Sequence, residues 1–86
     1  MIDELRAAWP EAEWEQLPGR WLCRLGKWTG CVTIGGGGVI YVCREWKGVV
    51  VRSGYNAARG DTDLLFRKVG DAVRWLRDRH AEDTES

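Results

Sequence analysis

RWLCRLGKWTGCVTIGGGGVIYVCREWKGVVVRS, residues 20–53, is the stretch that decides the fold. Runs of Val, Ile, Tyr, Trp and Cys, side chains that suit a pleated surface, are cut by glycine-bearing turns, with Arg or Lys recurring between the apolar positions. Turn chemistry predicts the pairing. Gly26-Lys27-Trp28 closes a first hairpin, setting Leu25 against Thr29, Cys23 against Cys31 and Trp21 against Thr33. Gly36-Gly37, inside the run Gly35–Gly38, closes a second as a two-residue turn that pairs Ile34 with Val39 and Val32 with Tyr41. Trp46-Lys47-Gly48 closes a third as a three-residue loop with Gly48 in the left-handed position, so that Glu45 faces Val49 and Cys43 faces Val51.

Side chains alternate along a strand, so these registers divide the stretch into two faces. One collects Leu22, Val32, Ile34, Val39, Tyr41, Cys43, Val49 and Val51 and is expected to be the core. The other collects Trp21, Cys23, Leu25, Thr29, Cys31, Thr33, Ile40, Val42, Arg44, Val50 and Arg52. It is too apolar for plain solvent surface and too polar for deep core.

Working outward, Ile2 to Trp9 reads as a short helix with Leu5 and Trp9 four apart on one side and Asp3 and Glu4 in its first turn. Pro10 ends it and opens a second helical turn through Leu17, which Pro18 and Gly19 stop. On the other side, Gly54 to Gly60 reads as a loop. Asp61 or Thr62 then caps the longest helix, placed from Thr62 to His80, with the stripe Leu65, Val69, Ala72, Val73 and Leu76 flanked by Phe66 and Trp75. Gly70, which costs about 1 kcal/mol of helix propensity relative to Ala, is expected to let that helix approach the sheet. The fold class is α+β: an antiparallel three- to four-stranded meander, a long C-terminal helix on one face and a short helical N-terminal segment. Residues 1–80 form one domain and 81–86 a frayed acidic tail.

At 86 residues, 44% hydrophobic and 30% charged, the chain has room for one globular domain. Its zero net charge hides a segregation: Met1 to Gly19 is acidic, Arg20 to Gly60 basic through Arg20, Arg24, Lys27, Arg44, Lys47, Arg52 and Arg59, and the remainder mildly acidic. Three cysteines, an odd number, and no apolar run of signal-peptide type point to a reducing, cytoplasmic setting. No stretch approaches the roughly 20 apolar residues of a membrane span.

Chemical signatures are absent. The glycine run lies between two strands with no Lys-Ser/Thr behind it, unlike a phosphate-binding loop. Cys23, Cys31, Cys43 and His80 lack the spacing of a zinc site, and the single His has no nucleophile implied beside it. Cys23 and Cys31, as cross-strand neighbours, could join under oxidation. Arg59-Gly60-Asp61 reads as loop, hinge and helix cap. No enzyme, cofactor or metal is expected.

Six tryptophans are unusual for this length. Trp9, Trp14 and Trp75 are assigned to the core, while Trp28 and Trp46 fall at turns and Trp21 on the mixed face. Trp and Arg dominate binding hot spots, so the predicted interface is Trp21, Trp28, Ile40, Val42, Arg44, Trp46, Val50 and Arg52. The expectation is a small non-enzymatic protein-binding module, with homodimerisation as its simplest form, of the kind with which a phage or mobile element inhibits a host complex, anti-CRISPR style. The alternative is nucleic-acid binding by the basic sheet.

The predicted order of helix, three strands and helix is similar to a double-stranded-RNA-binding domain, although Asp61 and Asp63 stand where that family has a basic cluster. A three-stranded sheet followed by one helix also resembles sheet-reading DNA-binding domains of the integrase-arm type. That resemblance would make Arg20, Arg24, Arg44 and Arg52 the reading residues.

Overall fold

Four tight connections generate the architecture. Pro18-Gly19 has proline in the first central place and Gly19 at φ +75° in the second, as a type II turn requires, and it joins β1 (Glu13–Leu17) to β2 (Arg20–Leu25). Gly26, at φ +60°, takes the first central place of a two-residue turn into β3 (Trp28–Ile34). Gly36–Gly38 forms a single tight turn into β4 (Ile40–Trp46), closed by a 2.7 Å bond from the Gly35 N–H to the Val39 carbonyl. Lys47 and Gly48, both at positive φ, make the two-residue turn into β5 (Val49–Arg52). The result is a five-stranded antiparallel meander in the order β1-β2-β3-β4-β5. Before it stands α1 (Ile2–Ala8); after it come a two-stranded pair, β6 (Tyr55–Asn56) with β7 (Asp61–Thr62), and α2 (Val69–Thr84). This computed structural model describes residues 1–53, 55–56, 61–62 and 65–85.

The α+β class stands, with five strands rather than three or four. The fifth is β1, expected to be a helical turn: Pro18-Gly19 folds residues 13–17 back onto β2, and Trp14 is buried opposite Cys23. The helix α2 starts at Val69 rather than Thr62. Phe66 exchanges backbone hydrogen bonds with Ile40, of 2.7 and 3.2 Å, which holds the chain extended there, and Asp61–Thr62 is strand rather than cap. Residues 55–56, expected in a loop, pair with it; 54 and 57–60, including Arg59 and Gly60 of the tripeptide, lie outside the described residues. At its other end α2 runs past His80 to Thr84, where Asp83 is tied to Arg44 and Trp28 of the sheet.

Each of the three predicted hairpin registers is off by one residue. The observed pairs are Leu25 with Trp28, Ile34 with Ile40 and Trp46 with Val49. A one-residue slip reverses a strand's faces. Hence β2 and β4 are inverted relative to β3: Trp21, Cys23, Leu25, Ile40, Val42 and Arg44 point toward the helices, while Leu22, Tyr41 and Cys43 point away. For β5 two slips cancel, so Val49 and Val51 stay on the helix side.

Both helices cover that one face. Leu5 and Trp9 from the N-terminal segment and Ala72, Val73 and Leu76 of α2 are buried against Trp14, Cys23, Trp28, Val32, Ile40 and Val42. Polar contacts fix the helices in place. The Trp14 indole N–H donates to the Trp9 carbonyl at 3.1 Å, and Arg77 reaches the Ala8 carbonyl at 3.4 Å. A triad adds to these: Arg44, 8% exposed, places Nε 2.9 Å from Asp83 Oδ2, the oxygen to which the Trp28 indole N–H donates at 2.8 Å, while Arg44 Nη1 donates to the Val49 carbonyl at 2.9 Å. The Nε contact is an ion pair without hydrogen-bond alignment.

The glycine that permits close packing is Gly30 rather than Gly70. A Cβ at Gly30 would lie 2.7 Å from Cys23 Sγ and 3.0 Å from both Leu76 Cδ2 and Trp28 Cζ3, whereas one at Gly70 meets nothing within 4 Å.

Two predictions follow for urea unfolding. Asp83→Ala strands a buried guanidinium and should cost about 3 to 5 kcal/mol, while Glu82→Ala, which removes only a half-exposed pair with Arg79, should stay within about 0.5 kcal/mol. Gly30→Ala should cost about 1 to 3 kcal/mol by overpacking, and Gly70→Ala should gain about 0.5 to 1 kcal/mol.

Candidate functional site: the uncovered sheet face

The face of the sheet turned away from the helices carries three cross-strand rows. The first is Glu15, Leu22, Cys31, Cys43 and Arg52; the second Glu13, Arg24, Thr29, Glu45 and Val50; the third Leu17, Arg20, Thr33 and Tyr41. Among the described residues none of these side chains is buried. Tyr41 is 39% and Val50 46% exposed, and Leu17, Leu22, Cys31 and Cys43 are half-buried by their neighbours on the same face.

The sequence places a different set of residues at the interface. Of that set, Trp28, Ile40 and Val42 are core, at most 3% exposed, and Arg44 is locked to Asp83. Trp21 and Trp46 are half-buried on the helix side, the Trp46 ring lying 5.4 Å beneath Lys47 Nζ. Only Val50 and Arg52 stand on the uncovered face. All six tryptophans pack in or against the core, where a domain this small needs their bulk. Trp9 and Trp28 meet edge to face at 5.7 Å, and the His80 ring packs against both at 5.6 and 5.2 Å.

What the sequence reading missed is Glu13, Glu15, Leu22, Tyr41 and Cys43. Alternation within β2 and β4 held the signal, since Arg20, Leu22 and Arg24 are together less apolar than Trp21, Cys23 and Leu25. Likewise Tyr41, Cys43 and Glu45 are less apolar than Ile40, Val42 and Trp46.

Charge on this face is balanced. Arg20, Arg24 and Arg52 are matched by Glu13, Glu15 and Glu45, and Arg24 bonds Glu15 at 2.9 Å. Two acids of the N-terminal segment, Glu13 and Glu15, therefore lie among the bases of the sheet. Arg44, counted as a base of the sheet, is neutralised on the other side.

At the middle of the face lies a groove of about 380 Å³ lined by Arg20, Cys31, Thr33, Tyr41, Cys43 and Arg52 among others. Cys31 is directly opposite Cys43, not Cys23, and all three thiols are free. Burial raises the Cys43 thiol above its ordinary range, with neighbouring Cys31 adding to the effect; Arg52 and Arg20 pull it partly back. Cys23, inside the core, is pushed up to about 12, chiefly by burial. Both stay protonated near neutrality and so are poor nucleophiles. Among the described residues no three His, Cys, Asp or Glu side chains cluster as metal ligands would, and no helix is long and apolar enough to cross a membrane.

Two measurements check this assignment. A disulfide exchange reagent should modify Cys31 in the native protein, Cys43 more slowly because its thiol is raised, and Cys23 only after unfolding. Because the folded value of Cys23 lies above its ordinary 9.0, its share of stability is complete below pH 9 and is lost as pH rises toward 12. Urea midpoints should thus fall above pH 9 more steeply in the wild type than in Cys23→Ala.

Compared with protein-family models, with curated proteins and with solved structures, the chain matches none of them.

Proposed function

We propose that the chain is a small non-enzymatic protein-binding module whose contact surface is the uncovered face of its sheet. The observation that carries this reading is an open, five-stranded face with no buried side chain among the described residues, bearing Leu17, Leu22, Tyr41 and Val50 between three acids and three bases. A sheet face with that mixture of apolar area and flanking charges matches the makeup of a non-obligate interface: apolar contacts for affinity, charges for register. The same balance weighs against nucleic acid, for which an uninterrupted basic stripe is the expected footprint. Inhibition of a host complex by a phage or mobile-element protein, in a reducing cytoplasm, is the biological role this reading extends to.

The test compares tagged wild type with Tyr41→Asp and Val50→Asp on the face and with Arg74→Asp on the exposed side of α2. Retention of a partner should fall at least about tenfold for the first two and be unchanged for the third. Equal retention by all three overturns the reading, as does a salt-dependent gel shift of DNA or RNA.

A further inference from the structure

Resting on that assignment of the contact surface, we propose that its partner is a second copy of this chain, stacked face to face about a two-fold axis that runs along β3. The argument is the order of charges across the rows. Such an axis lays β1 over the partner's β5 and β2 over the partner's β4, keeps β3 over its own copy, and leaves each row over itself.

In the first row, Glu15 then meets the partner's Arg52 and Leu22 meets the partner's Cys43. In the second, Arg24 meets the partner's Glu45. In the third, Arg20 meets the ring of the partner's Tyr41, an Arg–aromatic contact. Every charged residue of the face except Glu13, which meets the partner's Val50 at the rim, finds an opposite charge or an aromatic ring, and each contact occurs twice. Arg24 already bonds Glu15 at 2.9 Å, so the partner's Glu45 extends an existing pair into a network.

The alternative two-fold axis, across the strands, lays each strand over its own copy. Placed through the first, central row, it brings Glu15 and Arg52 each against its own copy and Arg24 against the partner's Arg20, which like-charge repulsion disfavours.

The dimensions agree with side-chain reach. Packed sheets lie about 10 Å apart and cross at about 30°, which displaces an edge strand by about 5 Å relative to the strand it covers, within the span of Arg and Glu side chains. Five strands and three rows project about 400 Å² per copy, roughly half of a standard interface. An interface this small makes the dimer a weak one, so the chain is tested at high concentration.

The experiment is sedimentation equilibrium of the full reduced chain from about 10 to 300 µM, with far-UV circular dichroism to verify the fold of each variant. The wild type should dimerise, and Glu15→Arg and Arg52→Glu should each weaken the dimer by about tenfold or more. The double variant Glu15→Arg/Arg52→Glu should regain at least most of the lost affinity. Within one chain the two positions are four strand spacings apart, about 19 Å, so recovery reports pairing between copies. In Cys43→Ser, a short bifunctional thiol reagent should couple Cys31 to the partner's Cys31 at the axis.

A dimer indifferent to both single charge reversals overturns the proposed geometry. A monomer at the highest concentration overturns the second copy as partner. If that monomer still retains another protein through Tyr41 and Val50, the contact surface survives without the dimer; if retention ignores those positions, both fall.

Discussion

A buried ion pair between Arg44 and Asp83 is the constraint on which the remaining structure depends. Arg44 stands on the helix side of β4, opposite Gly30 on one flank and Val51 on the other, in a row that is otherwise small or apolar. A guanidinium there is tolerable only if its charge is met and its N–H groups are used. Asp83 meets the charge from the last turn of α2, the Val49 carbonyl takes one N–H, and Trp28 donates to the same carboxylate oxygen. The helix must therefore extend to Asp83 and must come close. Gly30, which has no side chain to interpose, leaves room for Leu76 and Trp28 above the sheet.

With α2 pinned at its C-terminal end and α1 held against it through Arg77 and Ala8, both helices occupy one side of the sheet. The tryptophans follow them there. What remains on the other side is a surface that folding alone does not account for. Its Tyr41 and Val50 side chains are left in water, its Leu17 and Leu22 are half-buried, and its charges cancel across five strands. A solvated sheet face is normally polar throughout. Apolar residues kept here between ordered opposite charges, in rows whose charge order is self-complementary about an axis along β3, are the observations on which the proposed contact surface and the proposed second copy rest.

Much of this was legible in the chain. Leu5 with Trp9, and Ala72, Val73 and Leu76, have helical spacing, and the observed helices bury them. The strands β2 to β5 follow the apolar runs. Residues 13–17 misled because Pro10 and Pro18 both suit helix boundaries, whereas Pro18-Gly19 is equally the centre of a type II turn. The face lists misled for a sharper reason. Three connections each differed by one residue from the expected length, and that one residue decides which side of a strand is inside.

Arg44 compounded the error, because a charged residue in an alternating strand argues for the outer face unless its counter-ion is known. That counter-ion lies in a different element, as far along the chain from Trp28 as 55 residues. The sequence by itself determined the α+β class, the strand character of β2 to β5, the helical character of α1 and of the chain from Val69, and the segregation of acid from base, since these rest on local periodicity, turn residues and composition. Tertiary structure alone decided the strand registers, the burial of Arg44 against Asp83 and the interleaving of Glu13 and Glu15 with the basic residues of the sheet. Those features depend on which distant groups are brought within hydrogen-bonding distance, and only the folded chain brings them there.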